Sequence, residues 1–255
     1  MKNIKYYRSF DQDFSESKQQ NYKLPEDYQW ISHKPTHRII SALLYPLIII
    51  FVFCYQKFYA RVKIVNKKVL KKAKKHGYYL YSTHTQVFGD VVNHFITTFP
   101  KHPYLICSPA NLGIVAVGKY LPLAGALPIP DNLHQLKTLN DAIRTRIAQK
   151  KPIITYPEAH VWPWHTGIRP MSSAAFHFPI AIEAPVFVAT TTYQRSRFFK
   201  KPKITIYIDG PIKVNKDLPR KERISQLQSE VSNIMQERAS KYSTFSYVEY
   251  RPKKS

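Results

Sequence analysis

His84 and Asp90 are the residues of this chain best suited to chemistry. The run Leu80-Tyr81-Ser82-Thr83-His84 is apolar and β-prone until it ends on an imidazole, and Asp90 follows after Thr85-Gln86-Val87-Phe88-Gly89. An imidazole takes up a proton near neutral pH, and a carboxylate fixes its tautomer and stabilises the imidazolium. Activating a hydroxyl for attack needs that pair. Asp90 also fits two plainer roles, a helix N-cap or a partner of His94 one turn on. A second acid, Glu158, stands in Tyr156-Pro157-Glu158-Ala159-His160, past another apolar run.

Strands and helices in alternation are predicted to position these residues. Strands are expected at 77–82, 104–107, 125–129, 152–156, 185–192 and 203–208. Helices are expected at 90–99, 111–121, 132–150, 172–178 and 218–239. The fold class is therefore α/β, a mainly parallel sheet flanked by helices. In open sheets of this kind ligands bind beyond the carboxyl ends of strands. Strand ends would thus deliver His84, Asp90 and Glu158 to one rim. The spacing is His-x5-Asp, and on a helix a separation of more than one turn rotates the second residue off the first one's face. His84 is thus expected outside the helix, with Gly89 easing the turn.

Ahead of this domain, residues 1–38 form a polar arm that does not read as a targeting peptide. Residues 39–55 are uncharged and would make a helix about 25 Å long, short of the roughly 30 Å of a bilayer core. Pro46 sits near the middle and basic residues flank both ends. This predicts a bent, half-inserted element with both ends on the cytoplasmic side. Arg61–Lys75 carries eight Lys or Arg and no acid, with valines at helical spacing, and reads as a patch for anionic lipid. The division is thus 1–60, arm plus membrane-associating segment, and 61–255, the α/β domain.

The charge of +23 requires an anionic partner. The apolar run points to a membrane, and no nucleic-acid motif stands out. Cys54 and Cys107 lie far apart in apolar surroundings and read as buried thiols.

These blocks resemble the lysophospholipid acyltransferases of the glycerol-phosphate acyltransferase superfamily. That family has a His-x4-Asp dyad after a strand, then a Gly-centred block, a Pro-Glu-Gly block and an apolar Pro-containing strand. Here the counterparts are Ser82-Thr83-His84 with Asp90, Gly125-Ala126-Leu127-Pro128-Ile129-Pro130, Tyr156-Pro157-Glu158-Ala159 and Ala184-Pro185-Val186-Phe187-Val188, spanning about half the chain. The departures are the longer dyad, Thr83 where the family usually has Asn, Asp131 near an expected arginine, and Ala159-His160-Val161 after the Pro-Glu pair.

The resemblance implies transfer of a fatty acyl chain from an acyl-CoA or acyl-carrier-protein thioester to a hydroxyl of a lysophospholipid or related glycerol-based acceptor, with no metal and no cofactor. His84 and Asp90 would be catalytic. Glu158, Arg169, Gly125 and His160 would bind substrate, with Arg169 standing in for the missing phosphate-binding arginines. Two other classes stay open: a protein that only binds anionic membranes, and a metal hydrolase built from His84, Asp90, Glu158, His160 and His165.

Overall fold

The computed structural model describes residues 3–15, 21–115 and 117–253; the rest of the polar arm and the last two residues of the tail lie outside the described residues. Seven strands form one sheet in the order β2-β8-β7-β3-β6-β4-β5. They are β2 (Val62–Val65), β3 (Tyr78–Ser82), β4 (Tyr104–Cys107), β5 (Ala126–Pro128), β6 (Pro152–Thr155), β7 (Val186–Gln194) and β8 (Lys203–Asp209). All pairings are parallel except β7 with β8. This is the expected mainly parallel α/β sheet, closed on one side by a hairpin and an edge strand.

β3 shows why the sheet is covered on both faces. All five of its residues are buried. Tyr79 and Tyr81 join one core with Ile153, Val188, Leu227, Val231 and Met235. Tyr78 and Leu80 join the other with Phe187, Ile154, Val92 and Phe95. Alternation along a strand sends neighbours to opposite faces. The first face is covered by α3 (Leu133–Ala148), α4 (His177–Ile182) and α5 (Arg220–Tyr242), and the second by α1 (Pro35–Cys54) and α2 (Gly89–Thr98). At the start of α3, the Asn132 side chain accepts the Gln135 amide at 2.8 Å, an N-cap.

Cys54, expected as a buried thiol, is exposed. Four expectations about the elements also change. The arm is not an appendage: β1 (Asn3–Tyr7) pairs in parallel with β9 (Val248–Pro252) of the tail, and Trp30 is buried with its indole donating to the Pro128 carbonyl at 2.9 Å. In the basic stretch after Arg61, Val62–Val65 is the edge strand β2 and Lys67–Ala73 a 3₁₀ turn, so Val62 and Val65 serve sheet pairing, Val69 lies in the turn, and no long amphipathic helix forms. Instead of a helix at 111–121 there are two short 3₁₀ turns, Pro109–Asn111 and Gly118–Tyr120. Residue 116 of that stretch lies outside the described residues.

The fourth concerns the apolar run. α1 continues through Pro46 and passes into a wider π-type turn, Tyr55–Ala60. The carbonyl that Pro46 leaves without its amide partner belongs to Ala42, which lines an open cavity where water can satisfy it. Pro35–Ala60 is long and apolar enough to cross a membrane, by length and composition. One side of it packs on the domain: Val52 is fully buried, and the Ser41 hydroxyl donates to the Leu123 carbonyl at 2.7 Å. The other side leaves Ile39, Ile40, Leu43, Leu47 and Ile50 exposed.

Candidate active site

β3 ends at Ser82, and the chain turns through 83–88 before α2 begins at Gly89. His84 therefore sits outside the helix and Asp90 in its first turn, where a negative charge suits the helix dipole. His84 Nδ1 lies 3.0 Å from Asp90 Oδ2. The same oxygen accepts the backbone amides of Thr85 at 2.7 Å and Gln86 at 2.8 Å. The carboxylate thus folds the turn as well as binding the ring. Phe88 occupies the N-cap position, so Asp90 is not the cap.

Gly89 opens α2 directly after the turn. A Cβ there would lie 1.9 Å from Gln86 Oε1 and 3.2 Å from Asn93 Nδ2. A larger residue there would therefore have to displace the end of the Gln86 side chain.

The His84 ring lies against Tyr156 at the end of β6, centroids 4.2 Å apart and 18° from parallel. The Tyr156 hydroxyl donates to the Asp90 carbonyl at 2.7 Å. The Tyr193 hydroxyl on β7 bonds Thr85 Oγ1 at 2.7 Å, and the Thr83 hydroxyl accepts the Thr191 amide at 3.0 Å. From the loop after β6, the amides of Trp162 and Trp164 donate to the carbonyls of His84 and Thr85 at 3.1 and 2.7 Å. Three strand ends therefore hold the turn. Of these partners only Tyr156 had a sequence signal, an aromatic residue one step past a strand beside β3; Tyr193 and Gln86 had none.

Asp90 is buried and His84 partly exposed. Burial pushes the Asp90 carboxyl up from its ordinary value, while the bonds from His84, Gln86 and Thr85 oppose that shift. With Nδ1 held by Asp90, Nε2 is the ring nitrogen left to exchange a proton. His94 does not compete for Asp90. It is fully buried, pushed down to about 3 first by burial and then by His84, and its Nδ1 meets no partner.

Glu158 and Arg169 come together, but with each other. Arg169 Nη2 donates to Glu158 Oε2 at 2.9 Å, with the side chains 1 % and 0 % exposed respectively. Arg169 also donates to the carbonyls of His160 and Phe10 and lies 5.0 Å from the Trp162 ring. Each charge is spent inside the loop after β6, which lowers its capacity to take a substrate phosphate or hydroxyl. His160 is on this loop too, its Nδ1 3.7 Å from Asp13 Oδ2 at the surface. Gly125 is elsewhere. It precedes β5, so it stands at the opposite edge of the parallel sheet from His84, and its φ of +101° serves a tight turn against Pro103 and His102.

Among the described residues no group of three or more His, Cys, Asp or Glu is arranged to hold a metal ion. His165, enlisted for the hydrolase alternative, packs edge-on against Trp162 and Tyr250.

The fold is similar to that of a solved acyltransferase. A 1-acyl-sn-glycerophosphate (LPA) acyltransferase, PlsC, from Thermotoga maritima matches with a TM-score of 0.56, covering 83 % of this chain and 86 % of that one. Identity between the two is 11 %, so the likeness is one of fold. No family model and no curated protein matches the sequence.

Proposed function

We propose that the chain is an acyltransferase. It moves a fatty acyl group from an acyl-CoA or acyl-carrier-protein thioester to a hydroxyl of a lysophospholipid or related glycerol-based acceptor. The observation that carries this reading is the 3.0 Å His84–Asp90 pair past the carboxyl end of β3, on a fold similar to an acyltransferase's. His84 Nε2 takes the acceptor's hydroxyl proton as its oxygen attacks the thioester carbonyl. The tetrahedral intermediate collapses, the C–S bond breaks, and the leaving thiolate recovers the proton from His84. The products are an ester and a thiol. Asp90 orients the ring and offsets its transient charge.

Glu158 and Arg169 act in this reading by bracing the loop that touches His84 and Thr85. His160 stays a candidate acceptor contact at the loop surface.

The reaction belongs at a membrane. α1 exposes an apolar face, and beside the dyad Val87, Phe88 and Val91 are exposed as well. Phe198 and Phe199 are exposed at the turn between β7 and β8, flanked by Arg195, Arg197, Lys200 and Lys201. Apolar side chains ringed by cations suit an anionic bilayer surface. We place that surface on the cytoplasmic side.

The test is incubation of the full chain in vesicles with acyl thioesters and a panel of lysophospholipids, products read by mass spectrometry. His84→Ala should lose a factor of roughly 100 to 10,000 in turnover while keeping its fold. Near-native turnover in that variant refutes the mechanism. Vesicle binding with no product from any acceptor favours a protein that only binds membranes.

A further inference from the structure

A cavity of about 990 Å³ opens at the amino-terminal edge of the sheet, the rim opposite His84. The first turns of α1, the segments leading into β4 and β5 and the C-terminal end of α3 wall it. Among the described residues its charged lining has one sign: Arg38, Arg146 and Lys151, with His33, His37 and His102 and with no Asp or Glu.

These groups work against one another. Burial, and after it the charges of Lys151 and Arg146, push His102 down to about 4. Burial and then Arg146 hold Lys151 below its ordinary value. Arg146 Nε is buried without a hydrogen-bond partner among the described residues. Its guanidinium is nonetheless held in place, 4.4 Å from the Tyr104 ring centroid, with Nη1 donating to Gln149 at 3.0 Å. The dipole of α3 accounts for a cation at its C-terminal end. It does not account for Arg38 and His37, which come from α1. Cations gathered around a cavity with no carboxylate are offset by an anion that accepts their hydrogen bonds.

We propose that this cavity binds a phosphate ester, with Arg146, Lys151 and Arg38 on the phosphate. The volume exceeds what inorganic phosphate alone fills, so the organic part enters too, against Trp30 and Tyr45. The ester has two possible sources, a soluble metabolite or a lipid headgroup. The second is open because α1 turns Arg38 and Tyr45 to the cavity while Ile39, Leu43 and Leu47 face outward on the same helix. The site is separate from the dyad and does not depend on the acyl-transfer reading.

The experiment measures binding of the full chain in two arms. The first is calorimetric titration with sn-glycerol 3-phosphate in detergent. The second is binding to nanodiscs of phosphatidylcholine with and without phosphatidic acid. Arg38→Gln, at an exposed position, and Arg146→Gln should each weaken binding about tenfold or more, as expected for a lost charge-assisted bond. Lys137→Gln removes the same charge from an exposed site on α3 and should change nothing. Sensitivity to Arg38→Gln in detergent supports a soluble ester, and sensitivity only in phosphatidic-acid nanodiscs supports a lipid headgroup. If Arg38→Gln matches Lys137→Gln in both arms, binding there is diffuse surface attraction or absent, and the proposal is overturned.

Discussion

Asp90→Asn separates the two jobs of the carboxylate. All three of its hydrogen bonds go to one oxygen, Oδ2. An Asn with its carbonyl oxygen there still accepts from the Thr85 and Gln86 amides and from His84 Nδ1. The turn and the tautomer are kept, and only the charge is lost. The exchange of a charge-assisted for a neutral hydrogen bond sets the lower bound on the effect, about 1 to 1.5 kcal/mol. Two unit charges about 4 Å apart at an effective dielectric near 20 set the upper bound, about 4 kcal/mol. Turnover should therefore fall by roughly tenfold to a thousandfold. Stability should hardly move. Burial pushes the Asp90 carboxyl up, a desolvation cost of its charge that Asn does not carry. The expected change in unfolding free energy is within about 1 kcal/mol. Asp90→Ala is the contrast: it strands two buried amides at about 1 to 3 kcal/mol each. Thiol release from an acyl thioester with a lysophospholipid acceptor gives turnover, and urea melts give stability. Near-parental turnover in Asp90→Asn refutes the charge role; a melt as low as that of Asp90→Ala refutes the single-oxygen geometry.

Three further outcomes follow from the same contacts. Glu158→Ala leaves Arg169 buried and unpaired and should cost about 3 to 5 kcal/mol in a urea melt; a rise in acceptor KM with an unchanged melt means Glu158 meets substrate instead. Leu43→Ser, Leu47→Ser and Ile50→Ser together should cut vesicle binding at least a hundredfold, at about 1.5 to 3 kcal/mol per side chain withdrawn from the bilayer, without lowering the melt, and unchanged flotation counts against the α1 face. His94, His102 and His165 are pushed down to about 3, about 4 and about 4, so the unfolded chain binds more protons than the folded one below its ordinary His value; stability present above about pH 6.5 should drain away on acidification by up to about 4 kcal/mol per pH unit, and a melting temperature equal at pH 7 and pH 5 rules this out.

The parallel sheet was legible because its strands are buried on both faces and read as short apolar runs between turn residues, β3 and β7 above all. The contact between His84 and Asp90 was legible because a titratable residue at the end of such a run has a defined place on the rim. What stayed hidden was set by long-range pairing. The strand Asn3–Tyr7 exists only because Val248–Pro252 lies beside it, and neither segment has a core-facing period that announces it. Val62, Val65 and Val69 fit a helical spacing, yet hydrogen bonding to β8 selects an extended form for the first two. Glu158 and Arg169 each look like a substrate ligand, and spacing along a loop cannot reveal that they pair with each other. Gly125 reads as a substrate contact through the resemblance of its Gly-centred block; in the fold it precedes β5, at the edge of the parallel sheet away from His84.

The helix that completes the dyad also receives the apolar helix. α2 carries Asp90 in its first turn, and one turn later the Asn93 side chain accepts a hydrogen bond from Gln56, just beyond α1, at 3.0 Å. Gln56 is buried, so this bond is shielded from water and worth more than a surface contact. Phe51 and Tyr55 meet Phe88 edge-on, and Phe88 is the last residue of the turn between His84 and Gly89. The turn that sets the His84–Asp90 distance is therefore continuous with the apolar face of α1. For the proposed reaction this continuity has a physical use. An acyl chain and a lysophospholipid both partition into a bilayer, and a site whose own rim is apolar receives them without drawing their chains through water. In that reading His84 on the turn after β3 and Asp90 on a helix tied to α1 hold the proposed dyad beside the apolar face.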